Sequence, residues 1–260
     1  MRKRILEINN LSKKFGSLYA VNDVTFEVYE GEILSVIGPN GAGKSTTFKL
    51  ISSFLKPSSG EVIFNREKIS GLKPHIVARK GVVRTFQETT VFKNMSVRDN
   101  IIIAHQLQAK SNLLGFFFNT KLAKADNERF GKSADEIISF LGLDDVKNEL
   151  ASNLPHGLLR GLGIANALAC KPKILLLDEP FAGMNDDETK RCMQMVKQIK
   201  NSGITVLLVE HDMPAVMEIS DRIVVISFGE KIAEGKPEQI QKNPKVIEAY
   251  LGVEDEELGI

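Results

Sequence analysis

The sequence predicts an α/β fold: a mixed sheet with flanking helices, accompanied by an N-terminal antiparallel β-subdomain and an inserted α-helical subdomain. Three observations predict it. The apolar run Ile33–Ile37 leads into Gly38-Pro39-Asn40-Gly41-Ala42-Gly43-Lys44-Ser45-Thr46 and then into Thr47–Ile51, which reads as strand, loop, helix. The runs Lys173–Leu177 and Ile204–Val209 end in acidic residues and are rich in aliphatic side chains, as strands buried on both faces are. Between these blocks, Val97–Ala169 reads as mostly helical.

Taken in order, Ile5–Phe15 alternates weakly and stops at Gly16, which predicts an edge strand. Val24–Val28 alternates cleanly, and Tyr29-Glu30-Gly31-Glu32 turns the chain into the strand that feeds the glycine-rich loop. Lys56-Pro57-Ser58-Ser59-Gly60 is a turn, followed by a short strand at Glu61–Phe64. In the helical segment, Ala125–Leu141 places Phe130, Ala134, Ile137, Ile138 and Leu141 on one face. The apolar run Leu113–Phe118 is either a buried helical turn or a docking patch for another subunit. Asp186–Lys200 follows as a helix with Cys192, Val196 and Ile199 inward, and Arg222–Ser227 and Glu230–Ala233 as the last strands. Short helices at Pro237–Gln241 and Pro244–Tyr250 precede an acidic tail, Glu254–Glu257, that is expected to fray. One domain of 260 residues results, with 1–96 and 170–236 as the α/β core, 97–169 as the helical subdomain and 237–260 as C-terminal helices and tail.

The glycine-rich loop matches G-x-x-x-x-G-K-[ST], the Walker A pattern, in the strand–loop–helix setting that gives the pattern meaning. Glycine lets the backbone approach a ligand closely. Loop amides and the positive end of the following helix then make a cavity suited to phosphate. Gly38, Pro39, Asn40, Gly41, Ala42, Gly43, Lys44, Ser45 and Thr46 are therefore candidate nucleotide contacts. Lys44 is placed to reach the β- and γ-phosphates of ATP, and the Ser45 hydroxyl to meet Mg2+.

Bulk properties exclude several classes. With 34 Lys and Arg against 33 Asp and Glu, the net charge of +1 lacks the basic excess that nucleic-acid binding shows. The basic start Met1-Arg2-Lys3-Arg4 has no apolar core behind it, so it does not read as a signal peptide. No stretch approaches the ~20 apolar residues needed to cross a bilayer. Cys170 and Cys192 are too few for a disulfide framework and fit apolar helix faces in a reducing cytosol.

Ligands of such sheets sit at the carboxyl ends of the strands. The strand ending at Asp178-Glu179 and the one ending at Glu210-His211 empty onto the same edge as the loop. Asp178 suits a Mg2+ ligand. Glu179, expected to point the other way along the strand, suits polarising the water that attacks the γ-phosphate. His211 is a candidate hydrogen-bond donor to that phosphate. Gln87 lies between the loop and the helical insertion, where it could touch Mg2+ at one end and move the subdomain at the other.

Together these stretches resemble an ABC-transporter ATPase along essentially the whole chain, with the P-loop NTPase core that family implies. The resemblance makes Phe15 the aromatic platform for adenine, Gly38–Thr46 Walker A and Gln87 the Q-loop. Leu154-Pro155-His156-Gly157 opens the signature motif, Ile174–Glu179 is Walker B, Gly183-Met184-Asn185 the D-loop and His211 the switch histidine. The stretches Gly81–Gln87, Phe181–Asn185, Val209–Met213 and Gly235–Ile240 are similar to the ATPase subunits of branched-chain amino acid importers. Urea importers and lipid exporters use similar subunits. The resemblance implies a second ABC ATPase facing this one, with each ATP between Walker A of one and the signature motif of the other. It further implies two transmembrane permease subunits, an extracytoplasmic binding protein, and a peripheral position on the cytoplasmic face of the membrane.

The signature helix departs from the family. Where close relatives read Y-G-Q-Q-R-R-L-E-I-A-R, this chain reads His156-Gly157-Leu158-Leu159-Arg160-Gly161-Leu162-Gly163-Ile164-Ala165-Asn166. Gly157 keeps a backbone N–H for a phosphate, but the polar side chains around it are gone. Each internal glycine costs about 1 kcal/mol against alanine. Two readings stay open: tolerated drift, or a weakened composite site whose partner supplies the better signature.

Overall fold

The computed structural model describes residues 3–85, 91–109 and 120–257. Two sheets carry the fold. Strands β1 (Arg4–Phe15), β2 (Leu18–Tyr29), β4 (Ser59–Phe64) and β5 (Glu67–Lys68) form an antiparallel sheet in the order β2-β1-β4-β5. The second sheet, ordered β10-β9-β3-β8-β7-β6, holds β3 (Ile33–Ile37), β6 (Val82–Arg84), β7 (Ile174–Asp178), β8 (Thr205–Val209), β9 (Arg222–Ser227) and β10 (Glu230–Gly235). Its strands run parallel except β10, which pairs antiparallel with β9.

The apolar character of β3, β7 and β8 follows from two covered faces. Alternate residues point to opposite sides of a strand, and here each side meets a different layer. Leu34, Val36, Leu176, Leu207 and Val209 pack with the antiparallel sheet and with α1 (Lys44–Ile51). Ile33, Leu175, Leu177, Val206 and Leu208 pack with the helices on the other side. Those helices are α3 (Val97–Ala104), α4 (Lys121–Leu141), α5 (His156–Ala169) and α6 (Asp186–Asn201). α2 (Pro74–Lys80) precedes β6, and α7 (Met213–Ile219), α8 (Pro237–Ile240) and α9 (Pro244–Glu257) complete the chain.

Three expectations are corrected. β1 is an interior strand, because β4 pairs along its second edge through Leu6–Phe64 and Ile8–Val62. Its weak alternation comes from a bulge at Asn10, whose φ of 47° interrupts the register and whose side chain bonds Asp23 at 2.8 Å. α4 begins at Lys121, four residues before the expected start, because Thr120 caps it by accepting from the Ala123 amide. α9 runs through Glu257, so the acidic residues extend a helix, in keeping with the good helix propensity of Glu. Leu113–Phe118 lies outside the described residues.

Candidate functional site

The glycine-rich loop sits at the carboxyl end of β3 and is held from behind by backbone. A Cβ on Gly38 would lie 1.8 Å from the Ile226 carbonyl oxygen, and one on Gly43 would lie 2.3 Å from that of Ala20. Only glycine fits either place. The turn between β9 and β10 locks on as well, with Gly229 N–H donating to the Ala42 carbonyl at 3.0 Å. Lys44, buried at the first position of α1, donates to the carbonyls of Gly38 at 2.5 Å and Pro39 at 2.8 Å. Its pKa is lowered by burial, against which the nearby Glu179 charge pulls upward. Ser45 and Thr46 follow, partly exposed, in the first turn of α1, while Asn40 and Gly41 are exposed at the loop tip.

The acidic end of β7 stands beside this loop. Asp178 is 3% exposed and pairs through Oδ2 with Arg84 of β6. Its other oxygen, Oδ1, is buried without a hydrogen-bond partner among the described residues. Glu179 is half-buried just past the strand end, with φ of 48° and its amide on the Val209 carbonyl at 2.9 Å. This backbone turn, rather than strand alternation, sets its direction. Among the described residues no group of three His, Cys, Asp or Glu side chains converges. A cation here would therefore draw on Asp178, the Ser45 hydroxyl and ligand phosphates, as Mg2+ does. The orphaned Oδ1 of Asp178 fits that group.

At the end of β8, His211 is exposed, with Nδ1 3.7 Å from Glu210 Oε2. Sequence reasoning missed Glu210. This carboxylate is fully buried and accepts the amides of Phe181 at 2.7 Å and His211 at 3.0 Å. Burial raises its pKa against those amides, which lower it. It ties the segment after β7 to the segment after β8. Its only signal in the sequence is an acid closing an apolar strand. Arg84 and Tyr250 were missed too. The Tyr250 hydroxyl is buried beside the Gly38 backbone, and burial pushes its pKa up to about 12.

Phe15 ends β1, is 49% exposed as a residue, and has the Lys13 ammonium 5.1 Å from its ring centroid. A flat, accessible aromatic face suits stacking on a base. Gln87 lies outside the described residues. Gly157, the second residue of α5, donates its amide to Glu188 Oε1 at 3.2 Å. Glu188 also closes the capping box of α6 by accepting from the Asn185 amide at 3.2 Å. Leu158 and Leu159 pack against the helical core, and a cavity of about 280 Å³ opens between Gly163, Asn166, Arg84 and Asp178. Both cysteines are reduced; Cys192 is buried, and burial raises its pKa to about 12. No helix among the described residues is long and apolar enough to cross a membrane.

Similar proteins are known both by sequence and by structure. The family described as ABC transporter matches residues 21–182, and that described as branched-chain amino acid ATP-binding cassette transporter matches residues 230–256. The chain is 43% identical over 254 residues, 97% of its length and 99% of the relative's, to the high-affinity branched-chain amino acid transport ATP-binding protein LivG of Escherichia coli (strain K12). Among solved structures it is similar to the ADP conformation of an ATP-binding cassette of an ABC transporter, with a TM-score of 0.84 and 32% identity, covering 96% of this chain and 99% of that one. It is also similar to an ATP-binding cassette solved as a dimer bound to ADP and Pi, with a TM-score of 0.74 and 26% identity, covering 90% of this chain and 99% of that one.

Proposed function

This chain belongs to the ABC transporter family of ATP-binding cassettes, whose members are transport ATPases, and from that premise we propose that it powers an importer for branched-chain amino acids. The observation that carries the cargo is the match at both levels: 43% identity to LivG along nearly the whole chain, and a branched-chain-specific match at residues 230–256. In this reading two cassettes close face to face around ATP. Phe15 stacks on adenine, and the amides of Gly38–Thr46 and the Lys44 ammonium take the phosphates. Asp178, Ser45 and Gln87 would hold Mg2+, which when bound neutralises phosphate charge. Glu179 accepts the proton of the attacking water as the water oxygen bonds the γ-phosphorus. The bond from that phosphorus to the bridging oxygen breaks, leaving ADP and inorganic phosphate. Glu210 orients the backbone on either side, and His211 donates to the γ-phosphate.

The partner cassette, a second copy of this chain or a relative of it, supplies a signature-motif amide to the phosphate held here. Two permease subunits dock on the cassette, with Gln87 coupling them to the nucleotide, and a binding protein delivers cargo from outside the membrane. The chain itself stays peripheral on the cytoplasmic face and binds no nucleic acid.

A second reading is favoured by the signature helix, where Glu188 holds the Gly157 amide and Leu158 and Leu159 turn inward. There the chain binds ATP but hydrolyses it poorly, and an active relative supplies turnover. Glu179→Gln separates the two. A catalytic chain loses about 10²- to 10⁴-fold in kcat and is trapped as an ATP-bound dimer, whereas a poorly hydrolysing one leaves turnover of the pair unchanged. Cargo is tested by deleting the chain and measuring uptake of labelled leucine and labelled urea. Loss of leucine uptake alone is expected, and loss of urea uptake with leucine uptake intact overturns the assignment.

A further inference from the structure

We propose that Arg84 is a positioning residue that holds the Asp178 carboxylate until a divalent cation replaces it, and that the cavity beside Gly163 receives the displaced guanidinium. The inference rests on the reading of Asp178 as the cation ligand.

Five observations carry it. Arg84 closes β6, which pairs in parallel with β7, so its side chain leaves the sheet at the same edge as Asp178. The two side chains are 7% and 3% exposed and joined through Nη2 and Oδ2. Thr85 braces the pair, its hydroxyl 3.4 Å from the Asp178 amide. Asp178 Oδ1 meanwhile is buried with no hydrogen-bond partner among the described residues, so one carboxylate oxygen is held by Arg84 and the other is unsatisfied. The cavity of about 280 Å³ abuts this pair and is lined by Arg84, Thr85, Arg160, Gly163, Asn166 and Asp178.

The electrostatics follow directly. A buried carboxylate with an arginine against it presents little net charge to an arriving cation, and breaking such a pair without a replacement charge is costly. Arg84 therefore competes with the metal for one carboxylate. The guanidinium needs somewhere to go when it loses, and the cavity offers space together with the Asn166 Oδ1 acceptor, which is buried without a partner among the described residues. Position 163, lacking any side chain, leaves that space open. A glutamate there would offer Arg84 a second carboxylate and draw it away from Asp178. The chain thus binds nucleotide with a weaker dependence on cation than Asp178 alone would impose.

The full chain is tested with a fluorescent ATP analogue, comparing its affinity in Mg2+ with its affinity in EDTA. The ratio of the two reports the coupling between cation and nucleotide, free of turnover. Arg84→Met is expected to raise that ratio about 10- to 1,000-fold, the range over which an adjacent arginine biases an aspartate carboxylate. Should Arg84→Met not fold, Gly163→Glu decides instead, and it is expected to raise the ratio in the same direction. Asp178→Asn separates this inference from the reading beneath it. A ratio that Asp178→Asn leaves at the parent value removes Asp178 as the ligand. A ratio that falls with Asp178→Asn but is unchanged or lowered in the deciding variant overturns the role of Arg84.

Discussion

Lys44→Met isolates what the ammonium contributes to nucleotide binding from what it contributes to the fold. A lysine ammonium has three donors, and two of them are engaged by the Gly38 and Pro39 carbonyls. One remains for phosphate without any rearrangement of the loop. A hydrogen bond to a charged group contributes about 1.5–3 kcal/mol, so its loss weakens ATP binding on the order of 10- to 100-fold. The fold itself should notice less. Burial lowers the Lys44 pKa, which means the charged form is held at a cost in the ligand-free chain. Removing the charge relieves that cost while forfeiting the two carbonyl bonds, and the two effects oppose each other. Thermal unfolding with and without ATP reads both quantities. The parent should gain about 2.7 kcal/mol at ATP a hundredfold above its dissociation constant. The variant should unfold near the parent's ligand-free temperature and keep only about 0.4–1.4 kcal/mol of the ATP-dependent gain at the same concentration. A variant that keeps the full rise refutes the assignment of Lys44. A collapse of the ligand-free fold refutes the balance of terms.

Two further outcomes are expected. Gly161→Ala should stabilise the chain by about 1 kcal/mol through helix propensity. The added Cβ would lie 3.6 Å from both Leu143 Cδ2 and Met195 Cε, which is ordinary contact. A urea midpoint that falls, at unchanged slope, would show that the helix needs the glycine for packing. Glu210 gives a pH signature. Burial raises its pKa above 4.5, so the folded chain holds that proton more tightly than the unfolded one. Its share of stability is complete below the unfolded pKa and is lost as pH rises through the folded value. Glu210→Gln should flatten that decline above about pH 4.5 and cost about 1–3 kcal/mol, because an amide nitrogen replaces one of the two accepting oxygens. Parent and variant profiles of identical slope would remove Glu210 as its source.

Most of the strands and the phosphate loop were readable because their signals are local. A run such as Ile174–Leu177 or a spacing such as Gly38 to Lys44 needs no distant partner to be recognised. Where the sequence misled, the deciding contact was remote or conformational. The bulge at Asn10 made an interior strand look like an edge, since its second neighbour β4 lies some fifty residues along the chain. Arg84 and Asp178 are 94 positions apart, and nothing around either announces the other. Glu210 was passed over because a carboxylate at a strand end ordinarily points to water, whereas this one collects backbone amides. Glu179 stands out by its place after Asp178, but a left-handed backbone turn orients it, and a glutamate, unlike glycine or asparagine, gives no signal of such a turn.

The Glu188 carboxylate that bridges Gly157 and Asn185 bears on how a cycling motor keeps moving. If a neighbouring subunit brings phosphate to the Gly157 amide, the incoming anion evicts one already seated, so assembly exchanges a contact instead of adding one. Two end states separated by an exchange lie closer in free energy than two separated by a net gain. Such near-levelness lets the pair come apart again once the nucleotide is spent.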